Sequence, residues 1–241
     1  MLASMLAVLL AVAVTFAATA EQISARLAEV APHRELRTGR AVPAPSDADI
    51  RRAASGAINV SVVGQRASAT TVVNMPIGKL WAGLNDETRH PGYTAVGYSE
   101  LVKGRPCQSG RAVFQYLPIP VPFVDDRWWV GHLRTNANLE RATGNSVREL
   151  TWKSTTNPEI VTSASGKKMI DASAPLGYTT GSWFLVAIDP YTTWVEYASA
   201  SDPGEGVPTS VTSRLAAQGV RDQILAVQKF SRSGNPVCPV Y

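Results

Sequence analysis

The sequence is poor in groups that hold metals or carry nucleophilic chemistry. Its three histidines, His33, His90 and His132, show no HxH or HExxH spacing, and its two cysteines form no CxxC. A metal centre needs several such ligands brought together, and nothing here supplies even a pair. GxSxG is absent, so a nucleophile-elbow hydrolase lacks its first residue. There is no phosphate-cradling glycine loop either. The expectation is a chain with no metal, no cofactor and no marked catalytic residue. Strong charge is missing as well: Lys and Arg number 23 against 19 acids, and no basic run reaches five residues. Seven arginines and five acids fall between residues 21 and 66 with no interleaved aromatics, which reads as a solvated arm and argues against a nucleic-acid partner.

Charge is wholly absent from the first 20 residues. Leu2 to Ala17 is an apolar run, and Ala18-Thr19-Ala20 is a small-x-small site ahead of Glu21. Residues 1–20 therefore read as a secretory signal peptide, with an uncleaved anchor as the alternative because no Lys or Arg precedes the run. Export makes the protein secreted or periplasmic, where a disulfide between Cys107 and Cys238 can persist. Such a bond would tie a C-terminal tail, residues 234–241, to a turn.

What the chain does have is core-forming material: 45% hydrophobic residues against 17% charged, enough to fold. A short amphipathic piece ends near Pro32, and "VPAPSDAD" at 42–49 looks like a linker, so residues 21–56 are taken as an arm. From residue 57 the pattern turns to strands. Asn74 and Pro76 open a helix with Ile77, Leu80, Trp81 and Leu84 on one face. Strand candidates follow at 93–103, 111–117, 127–141, 147–155, 167–174, 181–188 and 193–201, with "DPYT" as a hairpin turn. A helix starting at Pro208 and stopping at Gly234 closes the chain, about 26 residues and roughly 39 Å long. Strands joined by hairpins indicate an antiparallel sheet.

That order of elements resembles the helix-grip fold of the START-like (SRPBCC) superfamily. Three stretches carry the resemblance: "VNMPIGKLWAGLND" (73–86), "VDDRWWVGHLR" (124–134) and "WVEYASASDPGEGVPTSV" (194–211). It covers residues 57–233. It implies an α+β fold in which a curved antiparallel sheet wraps a long C-terminal helix around a cavity. It implies a lipid or other hydrophobic small molecule as the partner, bound and, in the stronger form, transferred. Transient contact with a membrane belongs to the same expectation. A cyclase or aromatase-type enzyme is the first alternative, and a structural module with a filled interior is the second.

Phe114, Tyr116, Arg127, Trp129, Leu133, Leu215, Gly219 and Val220 are the expected lining of that cavity. Neighbouring strand residues point to opposite faces, so Trp128 and Trp129 cannot enter one core together. The resemblance turns Arg127, Trp129, Gly131 and Leu133 inward, and the opposite phase stays open. Where related chains carry an acidic partner for the arginine, this strand offers Gln115 or Tyr116, and Glu196 is the nearest distant acid. A four-residue loop in the last hairpin would put Phe184, Val186, Val195 and Tyr197 on one face, and Trp183, Leu185, Trp194 and Glu196 on the other. Gly219 costs about 1 kcal/mol relative to Ala in mid-helix, so it serves either open space or close packing.

Overall fold

The computed structural model describes residues 18–204 and 209–240, with the backbone alone over 209–216. Val- and Thr-rich segments form nine strands: β1 (Asn59–Val63), β2 (Arg66–Val73), β3 (Tyr98–Lys103), β4 (Arg111–Leu117), β5 (Arg127–Thr135), β6 (Val147–Thr155), β7 (Ala174–Pro175), β8 (Tyr178–Asp189) and β9 (Thr192–Asp202). Their order is β1-β2-β9-β8-β6-β5-β4-β3, antiparallel throughout, with the two-residue β7 parallel to β5. Among the described residues six α-helices accompany them: α1 (Ala20–Val30), α2 (Asp47–Ala54), α3 (Ile77–Leu84), α4 (Ala137–Ala142), α5 (Ala164–Asp171) and α6 (Thr209–Ser233). This is the expected α+β helix-grip architecture.

The sheet is covered on both faces, which explains the tryptophan pair. On the inner face Val113, Leu133, Leu150, Trp183, Leu185 and Val195 pack with Leu80, Trp81 and Leu84 of α3 and with Val220, Ile224 and Val227 of α6. The two helices touch closely at Gly83, where a Cβ would lie 1.9 Å from Ser231 Oγ, so no larger residue fits. On the outer face Val72, Val147, Phe184, Val186 and Trp194 meet Ile23, Leu27 and Val30 of α1 and Ile50 and Ala53 of α2. Further along, Phe114, Trp128 and Val130 are sealed by Val161, Ile160, Met169 and Ile170. Trp129 faces inward while Trp128, 3% exposed, belongs to the outer layer.

The arm is therefore structural, and the solvated reading of residues 21–66 does not hold for all of it. Glu149 and Glu196 are almost completely buried on the outer face, and buried carboxylates need partners. Arg37 meets both, with Nε donating to Glu149 Oε1 at 3.2 Å and Nη1 to Glu196 Oε2 at 2.8 Å. Arg34 donates to both Glu196 oxygens, and Trp194 Nε1 adds a bond at 3.0 Å. The Arg37 guanidinium also lies 4.0 Å over the Phe184 ring. Within 42–49, expected to be a linker, Val42 is buried and Ser46 caps α2 by accepting from Asp49 N.

Three other elements differ from expectation. Residues 167–174, expected as a strand, are mostly α5, because Ser163 Oγ accepts from Gly166 N at 2.9 Å and starts a helix. The strand expected over 127–141 stops at Thr135, where Asn136 caps α4. In the last hairpin the turn residues are only Pro190 and Tyr191, and a bulge lies between Ala187 and Asp189. Trp183 consequently pairs with Tyr197 and Leu185 with Val195 on the inner face, while Phe184 pairs with Glu196 and Val186 with Trp194 outside.

Past Ser233 the chain is held against Asp86, Arg89 and Cys107. Gly234 N donates to Phe230 O at 2.7 Å, and Arg89 donates to the carbonyls of Gly234 and Asn235. Asp86 Oδ2 accepts from Val237 N, and Cys238 is bonded to Cys107.

Candidate functional site

Between the sheet and α6 lies a cavity of about 360 Å³. Ala67 on β2 and Leu117 on β4 both line it. Those strands are five spacings apart, roughly 24 Å across a flat sheet, so the sheet must bend for both to reach one void. The volume sits near the low end of the ~300–1,000 Å³ typical of small-molecule sites.

Of the expected lining residues, Arg127, Trp129, Leu133, Gly219 and Val220 all face this space. Gly219 is exposed at the edge of this space, and a Cβ there would meet nothing within 4 Å, so the glycine is not a packing contact. Phe114 and Tyr116 are elsewhere. Gln115 pairs with Trp129 and Phe114 with Val130, and paired residues share a face, so Gln115 and Leu117 look inward and Phe114 and Tyr116 outward. Tyr116 instead donates its hydroxyl to Asp126 and anchors the β4–β5 loop, whose Ile119 N donates to Asp126 Oδ1 at 2.7 Å. The Leu215 side chain lies outside the described residues.

Ile119, Val121 and Val124 from that loop close part of the cavity, and Phe123 at its tip is fully exposed, with φ of 65°. Arg127, 2% exposed, borders the same region. Its Nε donates to Pro203 O at 2.6 Å and its Nη1 to Asp125 O at 2.5 Å. Glu196, the acid expected near it, is held by Arg34 and Arg37 on the opposite face.

Sequence reasoning missed much of the aromatic and polar lining. Trp152, Trp183 and Tyr197 form a continuous ring wall, with centroids 5.6 Å apart for Trp152–Tyr197 and 4.7 Å for Trp183–Tyr197. Trp152 Nε1 donates to Thr179 Oγ1 at 3.2 Å, and Ser201 Oγ donates to the same oxygen at 2.9 Å. Tyr197 reaches the cavity, yet it lies so deep that burial pushes its hydroxyl up to about 12, against a smaller downward pull from Ser199. At another part of the wall stand Glu87 and His90. Arg111 binds Glu87 through two bonds, one of them 3.0 Å from Nε, and also donates to Asn85 Oδ1 at 3.1 Å. His90 Nε2 sits 2.9 Å from Gly83 O, which can only accept, so Nε2 carries a proton. The pocket as a whole offers a mostly apolar interior with a few fixed polar atoms.

Among the described residues no cluster of His, Cys, Asp and Glu could hold a metal, and no helix is long and apolar enough to cross a membrane.

No protein-family model matches the sequence, and no curated protein matches it. Solved structures do match. The STAR-related lipid transfer protein fragment from Xanthomonas axonopodis is 16% identical with a TM-score of 0.57, covering 73% of this chain and 93% of that one. Human StAR-related lipid transfer protein 5 is 11% identical with a TM-score of 0.56, covering 89% and 97%. Human STARD10 is 12% identical with a TM-score of 0.54, covering 81% and 82%. The fold is thus the START-type helix grip that the sequence resembles.

Proposed function

We propose that this protein is an exported carrier that holds a lipid or another hydrophobic small molecule between the sheet and α6, with no chemistry performed on it. The observation that carries the reading is the cavity itself: about 360 Å³ of space, largely apolar, between the sheet and α6. Removing apolar ligand surface from water would supply most of the affinity, and the few fixed polar atoms would orient the guest. The START-type neighbours, two of whose names refer to lipid transfer, support the same class of ligand. Export is supported by the uncharged apolar stretch of the first 20 residues and by the Cys107–Cys238 bond. Phe123, exposed on an apolar loop beside the cavity, supports transient membrane contact during loading.

A cyclase-type enzyme is the second reading, favoured by the reach of Glu87 and His90 into the same space. Acid–base catalysis needs groups free to exchange protons with a substrate, whereas Glu87 is engaged by Arg111 and His90 Nε2 by a carbonyl. The test is native mass spectrometry with extraction of protein purified from its own host. A bound hydrophobic molecule recovered unchanged supports a carrier. Empty protein, indifferent to a panel of lipids and hydrophobic compounds, ends that reading.

A further inference from the structure

The inner face carries one aromatic side chain laid flat. Gly181 on β8 pairs directly with Trp152 on β6, and a Cβ at Gly181 would lie 2.3 Å from Trp152 Cζ2 and 2.4 Å from Cη2. The same Cβ would lie 2.3 Å from Ala198 O, so any other residue there would have to shift the indole, the neighbouring backbone or both. Gly181 lets the ring lie across the neighbouring strand, and Thr179 Oγ1 fixes it there by accepting from Nε1 at 3.2 Å. The indole is partly accessible, and on the inner face of a central strand that access is to the cavity. Tyr197 continues the surface at a tilt of 32°.

Resting on the carrier reading, we infer that Trp152 is a stacking platform and that the preferred guest is a compact molecule with a planar ring system, not a two-chain lipid. Ring faces attract other rings in offset stacks beyond what area burial alone supplies. A saturated chain gains only the area. The cavity volume points the same way: 360 Å³ is drug-sized space, too small to swallow two acyl chains. Thr179, Ser199 and Ser201 beside the platform give a ring-borne hydroxyl or carbonyl its partners.

The experiment uses the full chain and equilibrium dialysis with three probes: hydroxyanthracene, dodecanol, and vesicles of dioleoyl phosphatidylcholine. Hydroxyanthracene is expected to bind most tightly. Trp152→Leu is expected to lower the ring-to-chain affinity ratio by roughly two- to tenfold, the worth of a stacked pair. Trp152→Phe should lower it less. If Trp152→Leu does not fold, Thr179→Val, which removes the acceptor that fixes the indole, should lower the same ratio. Preferential binding of dodecanol or phospholipid, or a ratio indifferent to these substitutions, overturns the inference and leaves the carrier reading standing. Binding of none of the three removes both.

Discussion

Arg37, in the segment between α1 and α2, and Glu196, in the middle of β9, lie 2.8 Å apart on the outer face of the sheet, 159 residues distant in sequence. Both side chains are at most 5% exposed. Removing one partner of a buried pair strands the other charge without water. Arg37→Met should therefore cost about 3–5 kcal/mol in chemical denaturation, even though Arg34 stays beside Glu196. A loss below about 1 kcal/mol, the value of a surface pair, would show that the network is solvated after all.

Gly219 offers the cleanest separation of stability from binding. Its added Cβ meets nothing, so Gly219→Ala should stabilise α6 by roughly 0.5–1 kcal/mol through helix propensity alone. Gly219→Phe should set a ring at the edge of the cavity and weaken uptake of a hydrophobic probe while the thermal midpoint holds. Unaltered uptake by the Phe variant would mean that the guest sits elsewhere.

Glu140 on α4 provides a pH signature. Burial raises its carboxyl above the usual carboxylate range, with Arg148 pulling the other way, and its Oε1 is buried without a hydrogen bond. The folded chain then holds this proton to higher pH than the unfolded chain does, so the site's contribution falls as pH rises through that interval. Glu140→Gln removes the cost. Thermal melts should show the variant above the parent at pH 8, with the gap closing as pH drops through the carboxylate range. A gap that widened on acidification would reverse the sign and reject this account.

The Cys107–Cys238 bond links positions 131 residues apart. Cys238→Ser should lower stability by about 2–5 kcal/mol, the usual cost of losing a native disulfide. Arg89 and Asp86 still hold the tail backbone, so native-state exchange should show loosening confined first to residues 234–240. Uniform loosening of the whole sheet would indicate a wider role.

Much of the fold was legible because local chemistry sets it. The strands at Arg111–Leu117 and Val147–Thr155 fall where alternation and turns place them, and α6 ends at Gly234 as expected. The face each strand presents was less legible, because face depends on loop geometry. One bulge after Ala187 reassigns Trp183 and Phe184, and the β4–β5 register turns Gln115 inward where Phe114 and Tyr116 were expected. Composition pushes the wrong way here, since an aromatic looks like a better cavity residue than a glutamine. Trp152 stayed hidden because its exposure to the void depends on Gly181 in another strand. Glu196 is invisible as an arm contact until Arg34 and Arg37 are brought to it across more than 150 residues of chain.

The embedding of Arg34 and Arg37 has a consequence for how the molecule comes apart. Peeling the leading segment away would leave two anions facing an oily surface, a state too unfavourable to accumulate on its own. Arm and sheet should thus melt in a single cooperative step, and a polypeptide that begins at Ile58 should not reach the native state.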